Sequence, residues 1–200
     1  QGRPTVLDLV SHPGAPRLYP VGRLDIDTEG LLILTNDGAF AQRLTHPRYE
    51  VEKEYLAWVE GTPGEEDLVR LRTGIPLDGK PAPVDDVAIV EQAAAREPTT
   101  VLRLVIHEGR KREVRRLIDA LGYRVLRLQR VRQGSLLLGS LPVGAWRHLS
   151  PREVAQLASA APPAAPHTES VPPLGASHHT PSRRPHAAPE TSRDNDHHRR

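Results

Sequence analysis

Residues 111–121 constrain the fold most, because they combine an apolar stripe with a basic face. The apolar side chains follow the i, i+3, i+4, i+7 spacing of an amphipathic helix: Val114, Leu117, Ile118 and Leu121. Gly122 comes next and is a typical C-terminal stop. The other side carries the cations Lys111, Arg112, Arg115 and Arg116. The pattern therefore predicts a helix with an apolar face and a cationic face.

Around this helix, the sequence predicts several strands mixed with short helices. Strands are predicted at residues 31–35, 54–59, 87–90, 101–106, 124–128 and 135–138. Helices are predicted at residues 40–46, 65–72 and 151–158, and turns at 36–38 and 78–81. Tyr55, Ala57 and Val59 alternate and are expected on one face of their strand. Since strands and helices do not alternate strictly, an α+β fold is predicted.

Composition divides the chain into a folded part and a tail. Residues 151–200 hold nine of the 20 prolines and six of the ten histidines. Such a segment cannot bury a core. We therefore predict a domain at residues 1–158 and a disordered tail at residues 159–200. The absence of cysteine excludes disulfides and thiolate metal sites and fits the cytoplasm. No apolar run approaches the roughly 20 residues that span a bilayer.

Positive charge is concentrated in one region of the sequence. The net charge is only +2, but residues 103–132 contain ten Lys or Arg against three acids. Arg accounts for 24 of the 27 basic residues, and its planar guanidinium favours two-point phosphate contacts and stacking. The clustering indicates a nucleic-acid partner.

The segment at residues 22–32 places an acid beside a base. Asp25 lies two residues after Arg23, between the apolar Leu24 and Ile26. A neighbouring guanidinium favours the charged carboxylate, which suits a nucleophile or an electrostatic stabiliser. The alternative is that Asp25 and Asp27 are turn residues that bind nearby backbone N–H groups.

Several motifs resemble one enzyme family when they are taken together. They are Gly22-Arg23-Leu24-Asp25, Thr28-Glu29-Gly30-Leu31-Leu32, Leu34-Thr35-Asn36-Asp37-Gly38, Lys53-Glu54-Tyr55 and His107-Glu108-Gly109-Arg110-Lys111-Arg112-Glu113-Val114-Arg115-Arg116. Their order and spacing resemble the pseudouridine synthases, in particular the branch that modifies bacterial ribosomal RNA (the RsuA/RluB type). The resemblance spans nearly all of residues 2–157.

The resemblance implies a fold and a reaction. The fold would be that of the pseudouridine synthases, a mixed and mainly antiparallel central sheet surrounded by short helices. A uridine in RNA would be flipped into a pocket, its N1–C1′ bond cleaved, and C5 of the turned uracil joined to C1′. This isomerisation needs no cofactor and no metal.

The resemblance also implies roles for individual residues. Asp25 matches the essential carboxylate, acting as nucleophile or as base at the sugar. Tyr55 matches the aromatic residue that stacks on uracil, and Arg115 matches a buried Arg that pairs with the essential carboxylate. Candidate RNA-binding residues are Arg23, Lys53, Arg110, Lys111, Arg112 and Arg116. Among these, Arg23 matches the residue that fills the gap left by the flipped base.

The expected partner is ribosomal RNA or a pre-ribosomal particle. The protein is expected to be a monomer and not to associate with a membrane. The match at Leu77-Asp78-Gly79-Lys80 resembles the large-subunit branch of the family, which implies 23S rather than 16S RNA. Two alternatives remain: a non-catalytic RNA-binding module, and a metal-dependent phosphoesterase using Asp25 and Asp27.

The chain departs from the family at its beginning. A small S4-type RNA-binding module and a first strand with a Lys-Pro signature are expected in the family, and neither is in the sequence. We expect an exposed sheet edge there and lower stability.

Overall fold

A largely antiparallel sheet forms the centre of the protein. The computed structural model describes residues 5–10, 17–93 and 96–159. Five strands follow one another in space: β10 (Leu136–Leu137), β9 (Arg124–Gln133), β4 (Lys53–Glu60), β8 (Thr99–Ile106) and β7 (Asp86–Ala93). A sixth, β2 (Glu29–Gly30), pairs with β9 in parallel, whereas the other pairings are antiparallel. The predicted mixed, mainly antiparallel sheet is confirmed.

Among the described residues, two small strand pairs lie apart from this sheet. Strand β1 (Tyr19–Pro20) pairs with β3 (Leu34–Thr35), and β5 (Ile75–Leu77) pairs with β6 (Lys80–Ala82). The β5–β6 hairpin turns at Asp78 and Gly79, with φ of 55° and 76°. Two successive residues with positive φ match a tight hairpin turn, and the turn predicted there is confirmed.

In the described ranges, four α-helices pack around the strands. They are α1 (Gly38–Thr45), α2 (Glu65–Thr73), α3 (Glu113–Ala120) and α4 (Pro151–Ala158). Short 3₁₀ turns lie at Val6–Leu9 and Pro47–Tyr49. Asp37 begins α1 by accepting a hydrogen bond from Phe40 N at 3.0 Å, and Ser150 begins α4 in a capping box with Glu153. None of the helices in the described ranges is long and apolar enough to cross a membrane.

The buried hydrophobic side chains of the described residues form two clusters. The larger lies on one face of the sheet, where Ala57 and Val59 of β4 share a core with Leu117 and Ile118 of α3. Tyr55 packs against the same cluster, which confirms the predicted face of β4. The smaller cluster gathers Val21, Leu31, Ile33, Leu44, Val51, Leu136 and Leu157.

Sequence periodicity predicted the helices well and the short strands less well. The α+β class is confirmed, as are helices close to α1, α2 and α4. The strand predicted at residues 31–35 is wrong in extent, because the chain pairs with β9 at Glu29–Gly30 and with β1 only at Leu34–Thr35. The helix predicted from residue 111 begins at Glu113, since Arg112 has a left-handed φ of 54°. The tail predicted at 159–200 lies outside the described residues from 160 onward.

Candidate active site

A cavity of about 660 Å³ opens between the two hydrophobic clusters. Residues 44–47, at the end of α1, contribute to its wall together with four other parts of the chain. Two of them are loops that we call the Asp25 loop (residues 22–28) and the basic loop (residues 107–112). The other two are the start of β4, with Lys53 and Tyr55, and the second half of β9, with Arg130 and Gln133. The cavity volume is in the range of small-ligand pockets.

Strand pairing on β9 positions the Asp25 loop. Leu31 N donates to Arg130 O at 2.8 Å, and Glu29 forms an ion pair with Arg127. Gly30 has a φ of 108°, and a Cβ there would lie 2.3 Å from Arg130 O. Only glycine allows this close approach. The loop then turns between Asp25 and Thr28, whose N donates to Asp25 O at 2.9 Å, and half-buried Asp25 lines the cavity.

Arginines from the basic loop and α3 bind Asp27. Arg112 donates to both Asp27 carboxylate oxygens at 2.8 Å, and Arg115 Nε lies 3.2 Å from Asp27 Oδ2. The hydrogen bonds from Arg112 hold the pKa of Asp27 below its usual range, although burial opposes them. Arg115 also donates to Asp27 O and to Val125 O.

These contacts correct the partner expected for Arg115. Within the described part of the chain, Asp25 forms no ion pair, and Arg115 pairs with Asp27 instead. The reason is the turn at Ile26 and Asp27, which directs the Asp27 carboxylate toward α3. Asp27 is thus a turn residue, as the alternative interpretation proposed, but arginines hold its carboxylate.

Tyr55 lies in the inner wall of the cavity. Burial raises the pKa of its hydroxyl, and the neighbouring Arg130 guanidinium partly offsets this, so the phenol is neutral at pH 7. Tyr55 and Arg130 are direct partners across β4 and β9. The cavity therefore combines a carboxylate, an aromatic ring and a guanidinium.

Lys53 binds backbone rather than solvent. Its ammonium donates to Val51 O at 3.0 Å, His107 O at 2.8 Å and Glu108 O at 3.2 Å. Burial and the charge of Arg130 lower the pKa of Lys53 to about 8. An ammonium has three donors, and all three are occupied. Lys53 therefore fastens the basic loop to β4.

The other predicted RNA-binding cations divide into two groups. Arg110 donates to Leu77 O, Lys80 O and Pro81 O at 2.9 to 3.1 Å and pairs with Glu108, which ties the β5–β6 hairpin to the basic loop. Arg116 makes a two-point pair with Asp78. In contrast, Arg23 and Lys111 line the cavity, are exposed, and form no ion pair with any described residue. These two are the cations best placed for phosphate.

Sequence reasoning assigned no individual role to three other residues of the wall. Glu113 is 4% exposed, accepts from Arg110 N at 3.1 Å, and has a pKa raised by burial. His107 Nδ1 lies 2.8 Å from the Asp85 carboxylate. Arg130 is 3% exposed and donates from Nε to Leu31 O at 2.8 Å. The sequence signal for Arg130 is a cation inside a segment that forms a central strand.

A carboxylate and a neutral phenol facing one cavity, with free cations at its rim, define a site for a polar ring attached to an anionic chain. The sequence profile of the RNA pseudouridylate synthases matches residues 2–120. The chain belongs to this family.

Individual relatives agree with this assignment. An uncharacterized RNA pseudouridine synthase of Aquifex aeolicus is 46% identical over 156 residues, which is 78% of this chain and 61% of the relative. Ribosomal large subunit pseudouridine synthase B of Bacillus subtilis is 45% identical over 158 residues, 78% of this chain and 64% of the relative. The chain thus spans a little over three fifths of these relatives.

A solved structure also resembles the fold. A crystal structure of a pseudouridylate synthase superimposes with a TM-score of 0.66 and 34% identity, covering 77% of this chain and 65% of the other. The expected pseudouridine synthase fold is confirmed.

Proposed function

We propose that this protein converts a uridine of ribosomal RNA to pseudouridine, with Asp25 as the essential group. The observation that carries the proposal is that Asp25 and Tyr55, which lie 30 positions apart in the sequence, line one cavity in a chain of this family. The Arg23 and Lys111 side chains at the same cavity supply positive charge for the phosphates of the flipped nucleotide.

The residues of the cavity support each part of the reaction. A uridine flipped out of its stack places its base against the Tyr55 ring, since aromatic side chains stack on bases. Asp25 then acts at the sugar, as nucleophile or as base. The N1–C1′ bond breaks, the uracil turns within the cavity, and C5 forms the new bond to C1′. Product and substrate are isomers, so the reaction has no net redox change.

The proposed substrate is RNA of the large ribosomal subunit. The Bacillus subtilis relative and a Pseudomonas aeruginosa relative, 43% identical over 156 residues, are both named ribosomal large subunit pseudouridine synthase B. These names support 23S RNA, free or in a pre-ribosomal particle. We further propose that the protein is cytoplasmic and monomeric. Light scattering of the purified protein would test the monomeric state.

Release of tritium from ribosomal RNA labelled at uridine C5 tests the function. The protein is assayed in EDTA with and without Asp25→Asn, and Asp119→Asn serves as the control because Asp119 is exposed on α3. We expect release by the unaltered protein and by Asp119→Asn, and none by Asp25→Asn.

The other outcomes identify the alternatives. Release that is unaffected by Asp25→Asn would refute the role of Asp25. RNA binding without release in any variant would favour the non-catalytic module. Loss of activity in EDTA, restored by Mg²⁺, would favour a metal-dependent enzyme.

A further inference from the structure

Arg130 is a buried cation whose hydrogen-bonding capacity is only partly used within the protein. The residue is 3% exposed and lines the cavity. Its Nε donates to Leu31 O at 2.8 Å, but its Nη2 has no hydrogen-bond partner. No carboxylate of the described residues forms an ion pair with it. A buried donor without a partner is costly, and a buried charge more so.

Other unused polar atoms lie in the same wall. Four buried side-chain atoms in the described ranges have no hydrogen-bond partner, and three of them belong to residues of the cavity: Thr28 Oγ1, Arg130 Nη2 and Gln133 Oε1. The fourth, Arg115 Nε, lies 3.2 Å from Asp27. Native proteins satisfy nearly all buried polar groups, so a concentration of exceptions around one cavity indicates a polar ligand.

The position of Arg130 indicates which part of the ligand it would bind, namely the base. It is the direct cross-strand partner of Tyr55, and its backbone binds Leu31, at the end of the segment that carries Asp25. A ring stacked on Tyr55 therefore lies beside the guanidinium. Uracil presents two carbonyl oxygens, O2 and O4, and both are good acceptors for a charged donor.

We propose that Arg130 is a uracil-binding residue, whose Nη2 donates a hydrogen bond to a carbonyl oxygen of the flipped base. This inference rests on the proposed function. When the N1–C1′ bond breaks, its electron pair leaves with the base, and negative charge spreads onto the carbonyl oxygens. The guanidinium stabilises that charge where it develops. The charge disappears when C5 bonds to C1′, C5 loses its proton and N1 gains one.

Sulfur substitution in the substrate tests the contact, because sulfur is a weak hydrogen-bond acceptor. The substrates are synthetic hairpins with uridine, 2-thiouridine or 4-thiouridine at the position that the protein converts in ribosomal RNA. Because uridine and pseudouridine have equal mass, the target nucleotide carries deuterium at C5, which is lost on conversion. Mass spectrometry of this loss measures single-turnover rates for the unaltered protein, for Arg130→Lys and for Arg132→Lys. Lysine keeps the charge but loses the planar fork.

Arg132 provides a matched control on the same strand. It is also buried, at 8% exposure, but its guanidinium is bound by Glu52, Glu54 and Gly134 O at 2.9 to 3.0 Å. We expect one of the two thio substitutions to slow the unaltered protein and Arg132→Lys by about tenfold or more. In Arg130→Lys we expect slower conversion of uridine. We also expect a thio effect, the rate with uridine divided by the rate with the thiouridine, that is close to one.

The outcomes separate this inference from the function on which it rests. Equal thio effects in the unaltered protein and Arg130→Lys would overturn the inference alone. So would the absence of both thio effects in the unaltered protein, a result that needs no folded variant. If the unaltered protein converts no uridine, the proposed function fails and the inference falls with it.

Discussion

Arg112 and Asp27 lie 85 positions apart in the sequence and form a two-point ion pair, with both N–O distances at 2.8 Å. Arg115 adds a third contact at 3.2 Å. Because Asp27 follows Asp25 by two residues, the pair fixes the loop that carries Asp25, the proposed essential residue, against the start of α3. Two cations of the basic motif therefore position Asp25 without forming an ion pair with it.

Asp27→Asn should impair turnover much more than stability. The side chains of Arg112 and Asp27 are 39% and 41% exposed, so the loss of unfolding free energy should be below about 1 kcal/mol. A shift of the Asp25 loop should slow tritium release by roughly 10- to 100-fold. Asp78→Asn is the control, because Asp78 forms a similar pair with Arg116 outside the cavity. Equal rates for the two variants would contradict this role of Asp27.

Gly30→Ala should detach the Asp25 loop from β9. The new Cβ would lie 2.3 Å from Arg130 O, at a φ of 108°. The positive φ alone should cost about 1 kcal/mol, and the backbone clash should add to that. Gly144→Ala controls for φ, since Gly144 has a φ of 78° with nothing within 4 Å of its Cβ position. The unfolding free energy measured in urea and the rate of tritium release should both be lower in Gly30→Ala than in Gly144→Ala. Equal values for the two variants would refute the close-approach argument.

The stability contribution of Lys53 should rise with pH. Burial, followed by the charge of Arg130, lowers its pKa from 10.5 to about 8 in the folded protein. Between these values the unfolded chain binds more protons than the folded one, so stability increases with pH. The unfolding free energy of the unaltered protein minus that of Lys53→Met should increase by about 1–2 kcal/mol from pH 7 to 9.5. Urea denaturation at both pH values measures it.

Lys80→Met is the control for this pH experiment, because Lys80 is exposed at the β5–β6 turn. Its difference from the unaltered protein should stay constant over the same range. If the difference between the unaltered protein and Lys53→Met stays constant or falls with pH, the pKa of Lys53 is not lowered in the folded protein.

Lys111→Ala should mainly weaken RNA binding, whereas Arg110→Ala should mainly lower the stability of the protein. Lys111 is exposed and has no ion pair among the described residues, so its loss should reduce the slope of log affinity against log salt by about 1. Arg110 binds three carbonyls of residues 77–81, so its loss should mainly destabilise the hairpin. Filter binding at several salt concentrations and thermal denaturation distinguish them. A reduced salt slope only in Arg110→Ala would reverse the assignment.

Local patterns in the sequence predicted much of the fold. The 3.6-residue spacing of Val114, Leu117 and Ile118 predicted α3, and alternation predicted the inward face of β4. Such patterns work because they reflect which side of a regular element is buried. They failed at residues 31–35, where apolar side chains are buried although only the last two residues form a strand. Burial alone does not require strand pairing.

The sequence by itself determined the family and the α+β class and predicted Asp25 and Tyr55 as site residues, because motif order and side-chain periodicity are properties of the linear chain. The tertiary structure alone decided which charges meet. It paired Arg112 and Arg115 with Asp27, bound Lys53 and Arg110 to backbone carbonyls, and placed Arg130 against Tyr55. An ion pair depends on distances between atoms far apart in the chain. These distances arise only when the strands and loops pack together.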